Sequence, residues 1–195
     1  MSKETSKSEP YRRLQNDFEL YLHGKGLDIG GGPDPLVVDN GSVDVWDLAN
    51  GDATYLNGID DNKYDFVYSS HCLEHLNDIE VAIKNWSRVL KRYGYLYITI
   101  PDFALYEKCQ FPSVFGAGPH GHTTTFSLDI NRSTVNRSTH FNILTDFREL
   151  LERNAINLID VRLELGGYNF IIPNSVDQTL GNAQIQICVI GKRIV

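Results

Sequence analysis

Cysteine is scarce in this chain. Cys72, Cys109 and Cys188 are the only three in 195 residues, an odd number with no CxxC spacing, so neither a disulfide framework nor a four-cysteine zinc site is in view. Long apolar runs are also missing. No stretch approaches the ~20 residues of a membrane span, and the opening MSKETSKSEP lacks the apolar segment of a secretory signal. Nor is there a basic block: 18 Lys and Arg against 25 Asp and Glu leave a net charge of -7, whereas non-specific nucleic-acid binding needs clustered positive charge. These absences predict a cytoplasmic protein that engages neither membrane nor nucleic acid. What is present is globular: the 42% hydrophobic and 22% charged fractions suit one domain with a real core.

Residues 1–10 carry too little apolar material to pack and read as a mobile tail before a single domain over 11–195. Leu14, Phe18, Tyr21 and Leu22 recur at helical spacing from Tyr11, and Gly24 and Gly26 end that helix. Leu27 to Ile29 is a short apolar run entering a glycine turn, and Ser42 to Leu48 and Tyr64 to Ser70 read as two further strands. After an irregular turn, Ile79, Ile83, Trp86 and Leu90 mark a helix, and Tyr95 to Ile100 is a strand closed by Pro101. Thr145 to Asn154 reads as a helix capped by Thr145 or Asp146. Two final strands, Asn157 to Leu165 and Gln184 to Ile190, have no helix between them. The alternation predicts an α/β fold, a mostly parallel sheet with helices on both faces and a C-terminal antiparallel hairpin. Residues 103–142, which include the Pro-, Gly-, His- and Thr-rich stretch Phe111 to Thr125, read as an insertion that builds the acceptor pocket.

Gly30-Gly31-Gly32-Pro33 follows Asp28 by one spacer, which lets a ligand lie against the backbone at a strand's carboxyl end. The pattern is not GxGxxG, because position 35 is proline, and no GK[ST] follows, which excludes a P-loop. The turn, with Asp47 after the second strand, Gly51-Asp52-Ala53, and the run Phe66 to Leu76 (FVYSSHCLEHL) followed by Trp86 to Lys91, resembles the class I S-adenosylmethionine-dependent methyltransferases, from about Gly26 to Pro101. That resemblance implies a Rossmann-like fold, S-adenosyl-L-methionine as cofactor, and cofactor contacts from Asp28, Gly30, Gly31, Gly32, Asp47, Asp52, Ala53, Ser70 and His71. Asp47 would bind the ribose hydroxyls, with Asp44 as the alternative.

Methyl transfer from a sulfonium needs alignment and, for a hydroxyl or ammonium acceptor, removal of a proton. Histidine titrates closest to neutrality, which makes His71, His120 and His122 the candidate catalytic residues, with His75 at i+4 from His71. Histidines that only tie down a loop are the plain alternative for His120 and His122. The HxH pair has no third ligand identifiable by spacing, so no metal is predicted. Tyr106, Phe103, Phe111 and Phe115 could line the acceptor pocket or serve as core. Cys72, beside a buried strand and without a base partner, reads as inert. The expected activity is methyl transfer to an oxygen or nitrogen of a small molecule such as a sugar or other biosynthetic intermediate; a non-catalytic cofactor-binding module and a nucleotide-cofactor oxidoreductase are the alternatives.

Overall fold

A computed structural model describes residues 3–115, 121–129 and 140–195 of the chain. In chain order it holds helices Glu4–Leu14 (α1) and Asp17–Leu20 (α2), strands Gly24–Ile29 (β1), Gly41–Trp46 (β2) and Tyr64–Ser70 (β3), and helix Ile79–Val89 (α3). Strands Leu90–Pro101 (β4), Thr125–Ser127 (β5) and His140–Asn142 (β6) follow, then helix Arg148–Arg153 (α4) and strands Ile156–Glu164 (β7) and Gln186–Arg193 (β8). The main sheet has the order β2-β1-β3-β4-β8-β7. β1 to β4 pair in parallel, and β8 runs antiparallel to both β4 and β7. β5 and β6 form a separate parallel pair, tied to the end of β4 by a bridge between Asp102 and Phe126.

Alternation along the strands divides two apolar layers. Val67, Leu96, Ile98 and Val189 face α3 and α4, where Ile79, Ile83, Trp86 and Leu150 are buried. Phe66, Tyr68, Tyr97 and Ile190 face the other way, under Phe18, Leu22 and Leu36. Helices therefore cover both faces, as a parallel sheet requires. Asp78 caps α3 by accepting the Val81 N–H at 3.0 Å, and the Trp86 indole donates to the Ala53 carbonyl at 2.9 Å. The second bond fixes the loop after β2 to the buried helix.

Four local expectations change. Residues 4–10, expected as part of a mobile tail, belong to α1, in which Thr5, Ser8 and Arg12 are buried. The reason is tertiary: the Arg12 guanidinium stacks over Tyr68 and donates to its hydroxyl at 3.0 Å, and Lys7 donates to the Thr179 carbonyl at 2.9 Å. The single helix expected from Tyr11 to Leu22 is broken at Asn16, whose φ of 57° is left-handed. Leu14 in consequence is exposed rather than part of a buried stripe. β2 stops at Trp46, which leaves Asp47 and Leu48 beyond the strand. The helix expected from Thr145 opens as a π-type turn, Ile143–Phe147, capped by Asn142, whose side chain accepts the Leu144 N–H.

Candidate functional site

Because β1, β2 and β3 are parallel, their carboxyl ends open on one edge of the sheet, where Gly30, Asp47 and His71 follow. The Gly30 N–H donates to the Trp46 carbonyl at 2.8 Å, which turns the chain out of β1. Gly30 has a φ of +82°, and a Cβ there would lie 2.6 Å from the Cβ of Cys72. Glycine is required on both counts. A cavity of about 650 Å³ opens at this turn, lined by Gly30, Asp47, Asp52, Ala53, His71 and Cys72 among others.

The predicted cofactor residues divide accordingly. Asp47 lines the cavity, and among the described residues its carboxylate accepts no hydrogen bond. Asp52 lines it too, its Oδ1 accepting the Thr54 N–H at 2.7 Å. Asp44 does not: its carboxylate accepts from the Tyr64 hydroxyl at 2.9 Å and sits between Lys25 and Lys63. Asp28, Gly31, Gly32 and Ser70 line neither of the two cavities described here. Asp28 is fully buried behind the glycine turn, where its Oδ2 accepts the Leu36 N–H at 2.7 Å. Burial pushes its pKa up to about 7, against the smaller opposing effect of that hydrogen bond. In that position it braces the turn. The Ser70 hydroxyl accepts from Thr99 at 3.1 Å. Burial pushes the Cys72 thiol up to about 12, so it is inert as expected.

A second cavity, about 880 Å³, adjoins the first, and His71 and His75 line both. His122, Glu74, Tyr106 and Phe115 line the second, as do Lys3 and Lys7 from the start of α1. Phe103 is core and Phe111 is exposed. His71, at a left-handed φ of 51°, points its Nε2 to Gln186 Oε1 at 3.0 Å, so that nitrogen donates. Its Nδ1 lies 3.4 Å from Glu74 Oε1. Burial lowers the pKa of His71, but the Glu74 carboxylate outweighs it and raises the ring to about 8. The imidazolium is thus favoured at neutral pH, with both nitrogens engaged and neither free to take a proton. His122 is different. Its Nδ1 donates to the buried carboxylate of Glu107, which directs the Nε2 lone pair inward, 3.9 Å from Glu74 Oε1. Burial lowers the pKa of His122 and the Glu107 hydrogen bond more than offsets it. His120 lies outside the described residues.

Residues 26–98 match the family model of the methyltransferase domain. That match marks a methyltransferase domain within the chain. No curated protein matches closely enough to count as a relative. Among solved structures, a chain from the complex of the Haloferax volcanii Trm112 methyltransferase activator with a putative methyltransferase superposes with a TM-score of 0.60 at 12% identity, covering 98% of this chain and 94% of that one. A putative S-adenosylmethionine-dependent methyltransferase from Listeria monocytogenes gives 0.56 at 12%, covering 98% and 99%. A possible histamine N-methyltransferase from Thermotoga maritima gives 0.53 at 18%, covering 95% and 99%. At such identities the likeness is one of fold.

A methyltransferase domain with this fold indicates S-adenosyl-L-methionine as cofactor, and the cavity at the glycine turn fits that molecule. A Cβ at Gly30 would intrude on the turn's own packing, the unpartnered Asp47 carboxylate matches a vicinal diol, and the volume lies in the range of small-ligand sites. Sequence reasoning missed Glu74 and Glu107. Both are almost wholly buried and both face histidines. The signal available was an acid directly before His75 in His71-Cys72-Leu73-Glu74-His75; nothing local pairs Glu107 with His122.

Proposed function

We propose that the protein transfers the methyl group of S-adenosylmethionine to an oxygen or nitrogen of a small polar molecule held in the larger cavity. The observation that carries this reading is that His71 and His75 line both cavities, so a cofactor at Gly30 and Asp47 would meet an acceptor beside the histidine and carboxylate cluster. The bound cofactor supplies an activated methyl on a sulfonium. Asp47 accepts the ribose hydroxyls, and the Gly30 turn sets how closely the ligand approaches the backbone. Of the candidate bases, His122 suits the task because Glu107 fixes its tautomer and leaves Nε2 with a lone pair inside the cavity. With the cofactor bound, that nitrogen would receive the proton that the acceptor oxygen or nitrogen gives up on methylation. Tyr106 and Phe115, in edge contact at 5.8 Å, wall the far side of the cavity.

The test combines binding with turnover. Calorimetry should show S-adenosylmethionine and S-adenosylhomocysteine binding and NAD silent. A screen of hydroxyl- and amine-bearing metabolites should reveal an acceptor-dependent release of S-adenosylhomocysteine. His122→Gln should lower that rate by 10²-fold or more with cofactor affinity unchanged. Full activity in this variant removes His122 from the chemistry, and cofactor binding without turnover on any acceptor favours the non-catalytic reading.

A further inference from the structure

The geometry points to a divalent metal site of the zinc type formed by Glu74, His75 and His122. The three come from separate places, the one-turn 3₁₀ helix Leu73–His75 after β3 and the segment preceding β5. Even so, one ligand atom from each lies within 4.8 Å of the others. Glu74 Oε1 is 3.9 Å from the Nε2 of both His75 and His122, and the two rings meet edge to face with centroids 4.8 Å apart. An ion ~2.1 Å from each donor would hold the donors roughly 3 to 3.5 Å apart, a contraction that side-chain rotation can supply.

Three further features separate this cluster from histidines that merely tie down a loop. Among the described residues, Glu74 Oε2, Glu107 Oε2 and His75 Nδ1 are buried without a hydrogen-bond partner, and Glu74 Oε1 has only the long approach of His71 Nδ1 at 3.4 Å. Buried polar atoms in that state are costly unless a further partner completes them, and a cation would serve the carboxylate and the imidazole together. Secondly, Glu107 accepts a hydrogen bond from the Nδ1–H of His122 and so aims its Nε2 at Glu74, which is how a carboxylate behind a metal-bound histidine fixes the ring. Thirdly, the cluster opens on the larger cavity through Glu74, His75 and His122, so coordination positions remain for water or a substrate oxygen. Two imidazoles and one carboxylate suit zinc and neighbouring transition ions better than magnesium or calcium, which take oxygen ligands.

The binding claim stands apart from the proposed function. Only its consequence bears on that reading: an ion here would take the His122 Nε2 lone pair, so in the loaded site the ion would replace His122 as the activating group, binding the acceptor's oxygen and easing loss of its proton to water.

Chelator-treated full-length protein titrated with Zn²⁺ should bind one equivalent. With Co²⁺ it should develop visible ligand-field bands and no thiolate charge-transfer band, because no cysteine belongs to the set. Glu74→Gln and His122→Ala should each weaken Zn²⁺ binding 100-fold or more, and Glu107→Gln about 10- to 100-fold, whereas exposed His23→Ala should leave it unchanged. S-adenosylhomocysteine affinity, measured on each variant, checks that the fold persists; where a direct-ligand variant loses it, Glu107→Gln decides. Absence of a stoichiometric Zn²⁺ site, equal affinity in Glu107→Gln and the wild type, or a thiolate band would overturn the proposal. Zinc binding without S-adenosylhomocysteine binding would instead sink the methyltransferase reading of the cavity, and the converse would sink the metal site alone.

Discussion

The Cβ of Cys72 stands 2.6 Å from where a Cβ on Gly30 would fall. The turn after β1 and the turn after β3 are in this way packed directly on each other, and their contact sets the floor of the smaller cavity. Gly30→Ala meets both this clash and a left-handed φ, and the second alone costs roughly 1–2 kcal/mol. The variant should melt several degrees lower and lose S-adenosylhomocysteine affinity. Adding Cys72→Gly removes the obstructing atom and should restore part of the affinity but not the strain of the backbone. Equal affinity in Gly30→Ala and the wild type, by calorimetry, would show that the turn does not shape the site.

Asp44 and Asp47 are three residues apart in sequence and differ in what they face. Asp47 lines the cavity with an unpartnered carboxylate, whereas Asp44 is held by Tyr64, Lys25 and Lys63. Hydrogen bonds to a charged group contribute about 1.5–3 kcal/mol, so Asp47→Asn should weaken cofactor binding roughly 10- to 100-fold. Asp44→Asn should leave it within a few-fold. The opposite ranking would transfer the ribose contact to Asp44.

Much of the cofactor half was legible because its signals are local. Tyr64–Ser70 is a strand over the same residues that its apolar run suggests, and Gly30 turns where the glycines stand. The features that escaped are long-range. α1 is polar along its length, and Tyr68, Gln184 and Gln186, all distant in the chain, hold Arg12 and Ser8 in the interior. Glu74 looks like any acid beside a histidine until the segment before β5 brings His122 against it. Asp28 follows the same logic in reverse: its place beside the glycines suggested a ligand contact, but its direction in β1 turns it inward to Leu36.

That inward position makes Asp28 the clearest source of a pH-dependent stability. Its folded pKa, about 7, exceeds the ordinary 3.8, so between these values the folded state holds a proton that the unfolded chain releases. The contribution of Asp28 to stability is therefore largest below pH 3.8 and falls as pH rises toward 7, with a slope of up to about 1.4 kcal/mol per unit from this one group. Asp28→Asn keeps an acceptor for the Leu36 N–H and carries no charge. Relative to the wild type, it should gain stability between pH 5 and pH 8 in urea unfolding. A difference that stays constant over that range would mean that Asp28 is ionised in the folded protein throughout.

α1 supplies one wall of the larger cavity through Lys3, Glu4, Ser6 and Lys7, and none of its residues lines the smaller one. It is docked by Lys7 on Thr179 and by the Ser8 hydroxyl, which receives the Gln184 and Gln186 side-chain amides at 2.5 and 3.2 Å. Gln186 in turn accepts from His71, so the helix supports the cluster as well as enclosing it. A chain beginning at Tyr11 keeps Arg12 over Tyr68 and both apolar layers of the sheet, and should fold with a lower melting temperature. Its affinity for S-adenosylhomocysteine should remain within a few-fold of the full chain, because Gly30, Asp47 and Asp52 are untouched. Acceptor turnover should fall 10-fold or more, with KM for the acceptor rising most, since the cavity then lies open on the side of α1. Unchanged acceptor kinetics in the shortened chain would place the acceptor elsewhere; a loss of cofactor affinity equal to the loss of turnover would mean that α1 acts on the fold as a whole.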